Sequence, residues 1–430
     1  MSLGAQGTLF SIFAWFTRGR RPLPPLSLPA EGEVRPLPAA PTIAVGAPGK
    51  VRPQPAPIRN RLAVARVFDS VHPVENRRGL FGRDRELTDL LEASLDLGQH
   101  IIVHGARGSG KTSLVRVFGD YADQQGTVVL YTAAEPDASF AALMRPLLRD
   151  IPRSSIPHGY YDAFARIVAD EDGEFGPRSL VELLSVVTGG QVILILDEFD
   201  RVRSSAVKDD VAAFMKLLSD ALSRVTLMLV GIASNVGEII DSHPSLRRHM
   251  RVVPIGRIAP SGVEALITSG ARALELEFKP EARRIITEAA CGSPYHVRLF
   301  CSQAALAAIR TDRDVDGDAA RTGLRGAIRA WEQTNEEDAR ILTAAVASGE
   351  AEDLTRIARE AAAGDATFTT ETAGAERAAS LVRGAVVPAQ PGRLVFRDSV
   401  APQFLLAMLM TREAQAAPVM AARQHVGVLK

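Results

Sequence analysis

Apolar positions follow two alternating rhythms through the first half of the chain. After the polar run Gly82-Arg83-Asp84-Arg85-Glu86, residues Leu87, Leu90, Leu91 and Leu95 fall three and four apart. That is the spacing of a helix with one buried face. His100-Ile101-Ile102-Val103 is then a short, continuous apolar run, and Leu114, Val115 and Phe118 return to helical spacing. Continuous apolar runs recur at 127–131, 192–196 and 225–230, with helical patterns near 140–148, 180–187 and 211–222 between them. Uninterrupted apolar strands alternating with amphipathic helices predict an α/β fold, a parallel sheet covered by helices on both faces.

After Pro260 the rhythm becomes helical alone. Patterns over 263–274, 281–290 and 295–310 predict a small helical lid. From Glu336 the chain predicts helices at 338–347, 353–362 and 373–383, and then a hairpin. Its strands are Ala385-Val386-Val387 and Leu394-Val395-Phe396 around Gly392, and a last helix runs over 401–410. Helices followed by a two-stranded wing make this a winged-helix-like unit. Ahead of all this, eleven prolines lie between Pro22 and Pro57. Proline lacks an amide donor and fixes φ, so the stretch reads as an extended linker. The expected organisation is a Pro-rich basic tail at 1–60, a P-loop core at 61–258, a lid at 259–332, and the winged-helix-like unit and tail at 333–430.

Composition adds limits. Of 430 residues, 46% are apolar and 23% charged, ordinary for a globular chain. The formal net charge is zero, so no global field advertises nucleic acid or an anionic membrane. The balance conceals a basic head: up to Arg66 there are nine Arg and Lys against Glu31 and Glu33. The head also carries Leu9-Phe10-Ser11-Ile12-Phe13-Ala14-Trp15-Phe16, shorter than the roughly 18–20 apolar residues of a membrane span. Its arginines follow the apolar stretch, the reverse of a secretory signal. A sticky tail is one reading of residues 9–21. A short helix that docks on a partner or lies on a membrane surface is the other. Cys291 and Cys301 fit no zinc spacing and no disulfide framework, as expected of thiols in a reducing cytosol.

The chemistry is concentrated in two places. Gly105-Ala106-Arg107-Gly108-Ser109-Gly110-Lys111-Thr112 is a complete G-x-x-x-x-G-K-[ST], placed after a strand and opening a helix. Its glycines let backbone amides curl around phosphate oxygens, and the helix N-terminus adds partial positive charge. With Ser113 these residues form the expected ATP site. Lys111 would reach the β- and γ-phosphates, and the Thr112 hydroxyl would ligate Mg2+. Val192-Ile193-Leu194-Ile195-Leu196-Asp197-Glu198 ends a buried strand in two carboxylates at the same sheet edge. Asp197 would hold Mg2+ through water, and Glu198 would polarise the attacking water. Three weaker candidates follow. Asn235, favoured over Ser234, could orient water after the strand at 225–230. Arg248, beside Arg247, could act as an arginine finger on a neighbouring subunit, although solvated surface arginine explains it equally. Gly292-Ser293-Pro294-Tyr295-His296-Val297-Arg298 opens a lid helix that could lean on the nucleotide, bringing Arg298 or His296 toward phosphate.

The ordered set resembles AAA+ ATPases of the initiator-like and STAND-like branches over about residues 79–310. Gly82-Arg83-Asp84-Arg85-Glu86-Leu87 is similar to the GRxxEL entry motif of those proteins, which implies that Gly82 and Arg83 lie near the adenine. Residues 105–112 and 192–198 match the Walker A and Walker B motifs. Leu229-Val230-Gly231-Ile232-Ala233-Ser234-Asn235 is similar to the sensor-1 strand of origin-recognition-type ATPases. Gly292-Ser293-Pro294 is similar to the G-x-P lid motif of STAND proteins, which implies that Pro294 contacts nucleotide. The chain departs from the initiators where their lid carries a sensor-2 arginine motif. The resemblance implies an ATPase using ATP and Mg2+, and either a homo-oligomer in which a trans arginine completes the site or, as in STAND-like relatives, a closed monomer.

Three functions remain open at this level. One is a cytoplasmic ATPase switch that controls a protein partner, either free or peripheral to a membrane. The second is a DNA-binding ATPase that uses the winged-helix-like unit. Its reading helix carries only Arg377 and Arg383, and its wing only Arg393 and Arg397. The third is an adaptor that holds ATP and barely hydrolyses it.

Overall fold

The structure, a computed structural model, describes residues 60–170, 173–231 and 244–412. Five strands form one parallel sheet in the order β2-β3-β4-β1-β5. They are β1 (His100–His104), β2 (Val128–Ala133), β3 (Val192–Asp197), β4 (Val225–Gly231) and β5 (Met250–Pro254). Register is continuous across the centre: Ile101 and Ile195 both sit beside Met228. β3 and β4 are buried from end to end, which is why they read as unbroken apolar runs. β5 escaped the sequence reading. It is an edge strand paired, among the described residues, only with β1, its middle residues are half-exposed, and it ends in Pro254, which an edge tolerates.

The helices of the first half are α1 (Arg61–Val67), α2 (Asp84–Leu91), α3 (Lys111–Gln124), α4 (Phe140–Arg149), α5 (Tyr161–Ala169), α6 (Pro177–Ser185) and α7 (Ser205–Ala221). Leu87, Leu114 and Phe118 of α2 and α3 pack with Ile101 and Ile195 on one face of the sheet. Leu143, Leu184 and Phe214 of α4, α6 and α7 pack with Leu194 and Leu227 on the other. The covered parallel sheet expected from the pattern is present.

The lid comprises α8 (Pro260–Leu274), α9 (Pro280–Ala290), α10 (Pro294–Arg310) and α11 (Gly317–Glu332). Proline opens the first three, where its missing N–H is no loss. The sequence reading did not include α11, whose pattern is interrupted by Gly317, Gly323 and Gly326. Gly323 is there for contact: a Cβ on it would lie 2.5 Å from the Ala304 backbone nitrogen on α10.

The C-terminal unit contains α12 (Glu336–Ala347), α13 (Ala351–Ala363), α14 (Ala373–Leu381) and a helix over 401–412. Its strands β6 (Thr367–Thr369), β7 (Val386–Gln390) and β8 (Arg393–Phe396) form an antiparallel sheet in the order β6-β8-β7. The expected two-stranded hairpin therefore carries a third strand, too short to give a periodic signal. Lid and C-terminal unit share one core. Phe404 of the last helix stacks on Trp331 with centroids 4.9 Å apart and meets Phe300 edge-on. No helix among the described residues is long and apolar enough to cross a membrane.

Candidate functional site

The glycine loop lies between β1 and α3, as its spacing demands. Gly108 and Gly110 take positive φ, 77° and 93°, and Gly110 caps α3 in the left-handed region that favours glycine. Gly105 faces away from the opening, where a Cβ would sit 2.2 Å from the Ile255 carbonyl oxygen. Lys111 donates from Nζ to the carbonyls of Gly105 (2.7 Å) and Ala106 (3.1 Å). Burial draws its ammonium below the ordinary value, against the opposing pull of Asp200, Asp197 and Asp365.

Asp197 ends β3 and is 3% exposed. Its Oδ2 accepts from Thr112 Oγ1 at 2.8 Å and from the Tyr131 hydroxyl at 2.7 Å. Its Oδ1 accepts from the Glu198 backbone N–H at 2.7 Å. Glu198 turns that N–H back by adopting φ 54°, a left-handed conformation that costs an ordinary L-residue about 1–2 kcal/mol. The Glu198 carboxylate is half-exposed and paired with Arg201 at 2.7 Å. Thr112 and Asp197 thus bring a hydroxyl and a carboxylate together, the all-oxygen donor type that suits a hard cation such as Mg2+.

A cavity of about 1070 Å3 opens over this loop. Ala106 to Ser113 form its floor, and Asp197, Glu198 and Asp200 line one side. The segment 69–74 and the lid residues Pro294, Tyr295 and Arg298 form further walls. The lid is also bonded to the loop, since Ser293 Oγ donates to the Gly108 carbonyl at 3.3 Å. The last wall comes from the C-terminal unit: Asp365, Phe396 and Arg397 face the same space. Arg397 is paired there with Asp338 at 2.5 Å and Glu337 at 3.3 Å. The sequence reading missed Tyr131, Asp365 and the Arg397 placement. A tyrosine in a buried strand reads as core, and the other two reach the loop only through tertiary packing.

Several expected site residues are placed differently from the expectation. Arg83 lines the cavity but is 2% exposed and spends its guanidinium on protein. Nη2 donates to the carbonyls of Ser109 (3.0 Å) and Gly256, and Nη1 to Glu86 at 2.6 Å. Gly82 packs against Gly262 and Ile258 and is not among the cavity residues. His296 does not approach phosphate. It is fully buried behind the lid tip, with Nδ1 on Ser293 Oγ at 2.9 Å, and burial pushes its pKa down to about 3. Arg298 reaches the cavity wall, where Nη2 donates to the Gly79 carbonyl at 2.8 Å. Ser113 accepts the Val74 N–H at 3.0 Å, tying the 69–74 segment to the loop. Arg248 is exposed at the end of a 3-10 turn and does not line the cavity of its own chain. Asn235 and Ser234 lie outside the described residues, as do residues 9–21.

A parallel sheet of this order, with a glycine loop after β1 and an aspartate ending β3, defines a P-loop fold with a helical lid. Residues 79–230 match the family described as AAA ATPase domain. Comparison with curated proteins gives no match. Among solved structures the chain is similar to the ORC2 protein of Aeropyrum pernix in its ADPNP-ADP complexes. Identity is 16%, coverage 81% of this chain and 98% of that one, and the TM-score 0.45. It is similar to a Walker-type ATPase of Pyrococcus abyssi at 18% identity, with 79% and 99% covered and a TM-score of 0.47. It is also similar to the RuvB Holliday junction branch migration motor of Thermotoga maritima at 15% identity, with 74% and 92% covered and a TM-score of 0.40.

Proposed function

We propose that the chain binds ATP with Mg2+ in this cavity, hydrolyses it, and works as a nucleotide-driven switch that controls a protein partner. Lys111 would neutralise the β- and γ-phosphates, with the loop amides and the α3 N-terminus around them. Thr112 and Asp197 would hold the cation, Asp197 through water. The cation would supply charge neutralisation at the phosphates. Glu198, half-exposed at the cavity wall, would orient the attacking water after leaving Arg201. Pro294 would touch the nucleotide from the lid. Asn235 would be the sensor at the end of β4, and Arg248 could serve only a neighbouring copy's site.

The observation that carries the switch reading is that lid and C-terminal unit, sharing one core, line the same cavity as the loop. Phosphate charge arriving at Lys111 would enter a space also lined by Asp365, whose carboxylate already acts on the Lys111 ammonium, and by Arg397. A ligand with different affinity for two arrangements of these walls shifts the balance between them. The DNA-binding alternative uses the helix–helix–strand–helix–hairpin order of a winged helix. It is less well supported, because two of the four arginines on its reading helix and wing, Arg377 and Arg397, are already paired with acids. Arg377 and Arg356 share Asp353, at 2.6 and 2.7 Å, and Arg397 is held by Asp338. Of the four, Arg383 and Arg393 are left, fewer than the several phosphate contacts of a tight binder.

The test is ATP turnover by the purified chain with and without duplex DNA, with Lys111→Ala as background. The expected result is turnover that Lys111→Ala abolishes and DNA leaves unchanged. An intact rate in Lys111→Ala would sink the proposal. Stimulation by DNA would favour the DNA-binding ATPase instead. Binding without turnover would favour the adaptor.

A further inference from the structure

Tyr131 belongs to neither phosphate-loop motif, yet it is bonded to the centre of the site. It lies on β2 beside Ile195 of β3, with Ala133 beside Asp197. Side chains two apart on a strand share a face, so Tyr131 and Asp197 are diagonal neighbours across the β2–β3 pair. That separation is one a long aromatic side chain can bridge. The ring is 7% exposed, packed in the core beneath α3. A phenylalanine would fill this core equally well. The hydroxyl is the part that core packing does not explain, because a buried hydroxyl costs free energy unless it is bonded. It is bonded to Asp197 Oδ2 at 2.7 Å, within 0.1 Å of the length of the Thr112 bond to the same oxygen.

We propose that Tyr131 is a positioning residue for the divalent cation: its phenol holds the Asp197 carboxylate toward Thr112, and so sets how tightly the site takes Mg2+ with nucleotide. This rests on the ATP–Mg2+ reading above. Three donors fix one carboxylate: Thr112 and Tyr131 on Oδ2, and the Glu198 N–H on Oδ1. Thr112 sits on the loop helix and Glu198 at the cavity wall, so both face the ligand directly. Tyr131 is held from behind by the strand pair, and it pins the carboxylate whether or not nucleotide is present. The Arg116 guanidinium, one turn after Thr112 on α3, lies over its ring with 5.5 Å to the centroid. Partners that orient a metal-holding side chain typically change metal affinity by about 10–100-fold when removed.

The experiment is Tyr131→Phe in the full chain, read as affinity for a fluorescent ATP analogue across a Mg2+ titration and again in EDTA. The expected result is a half-saturating Mg2+ raised at least tenfold, with metal-free nucleotide affinity unchanged. In an Asp197→Ala background the same substitution should add no further shift, because the carboxylate it acts through is gone. An unchanged Mg2+ requirement in Tyr131→Phe would overturn the proposal. So would a shift that persists without Asp197, or an equal loss of metal-free affinity, which would make the tyrosine a general support of the core. Nucleotide binding by the wild type that ignores Mg2+ altogether would instead remove the ATP–Mg2+ reading on which the proposal rests.

Discussion

Replacing Arg83 separates two roles that one residue could play. In the structure its guanidinium joins three elements: the Ser109 carbonyl of the loop, the Gly256 carbonyl after β5, and Glu86 on α2. Arg83→Met keeps most of the aliphatic volume and removes every one of these donors. Removing one member of a buried ion pair costs about 3–5 kcal/mol. The Glu86 side chain is 21% exposed and can partly rehydrate, so the low end, about 3 kcal/mol, is the expected loss. The assay is native-state hydrogen exchange of the β1 and α3 amides, which reports the opening free energy of this part of the fold alone. At 1.4 kcal/mol per tenfold, exchange there should quicken by roughly 150-fold. Affinity for ATP and GTP should fall together as the loop loses its tie, leaving their ratio unchanged. Unaltered exchange with a changed ATP-to-GTP ratio would refute this reasoning and make Arg83 a contact to the base, as its motif implied.

Two further outcomes follow from the packing. His100 is buried with Nδ1 accepting the Leu227 N–H at 3.0 Å and Nε2 at 2.8 Å from the Met215 carbonyl, so the ring must be neutral. Burial lowers its pKa from 6.5 to about 4. The unfolded chain therefore takes up the proton first. The His100 share of stability should be constant above pH 6.5 and fall by about 3 kcal/mol as pH drops from 6.5 to 4, and His100→Gln should make the slope of acid-unfolding curves shallower by that share, leaving the part due to buried His296. Gly323→Ala should force α10 and α11 apart. With the added Cβ 2.5 Å from a backbone nitrogen that cannot swing away, a loss of about 1–3 kcal/mol is expected in denaturant unfolding followed by Trp331 fluorescence. An unchanged midpoint would mean the helices tolerate a wider spacing.

The sheet was legible because β1, β3 and β4 are buried along their length, and burial writes a continuous apolar run. β5 was not, since an edge strand half open to solvent carries no such run. The loop 105–112 and the pair Asp197-Glu198 were legible because their chemistry requires fixed residue types at fixed spacing. Arg83 was assigned to the nucleotide by resemblance, whereas the structure spends its guanidinium on the Ser109 and Gly256 carbonyls. His296 lies in the first turn of a lid helix beside the loop, yet it faces inward, against Phe300 and Phe404. Tyr131, Asp365 and Arg397 had no local signal at all. Each comes to the site from a different part of the chain, through strand pairing or through the docking of the C-terminal unit.

The central claim is that nucleotide at the loop is felt by the C-terminal unit, and hydrogen exchange over residues 364–399 tests it most directly. Exchange would be compared without nucleotide, with ADP and Mg2+, and with ATP and Mg2+, in the wild type and in Lys111→Ala. The account predicts that protection of this stretch changes between the ADP and ATP states in the wild type and stays constant in Lys111→Ala. Identical protection in all wild-type states, with nucleotide binding independently confirmed, would contradict it.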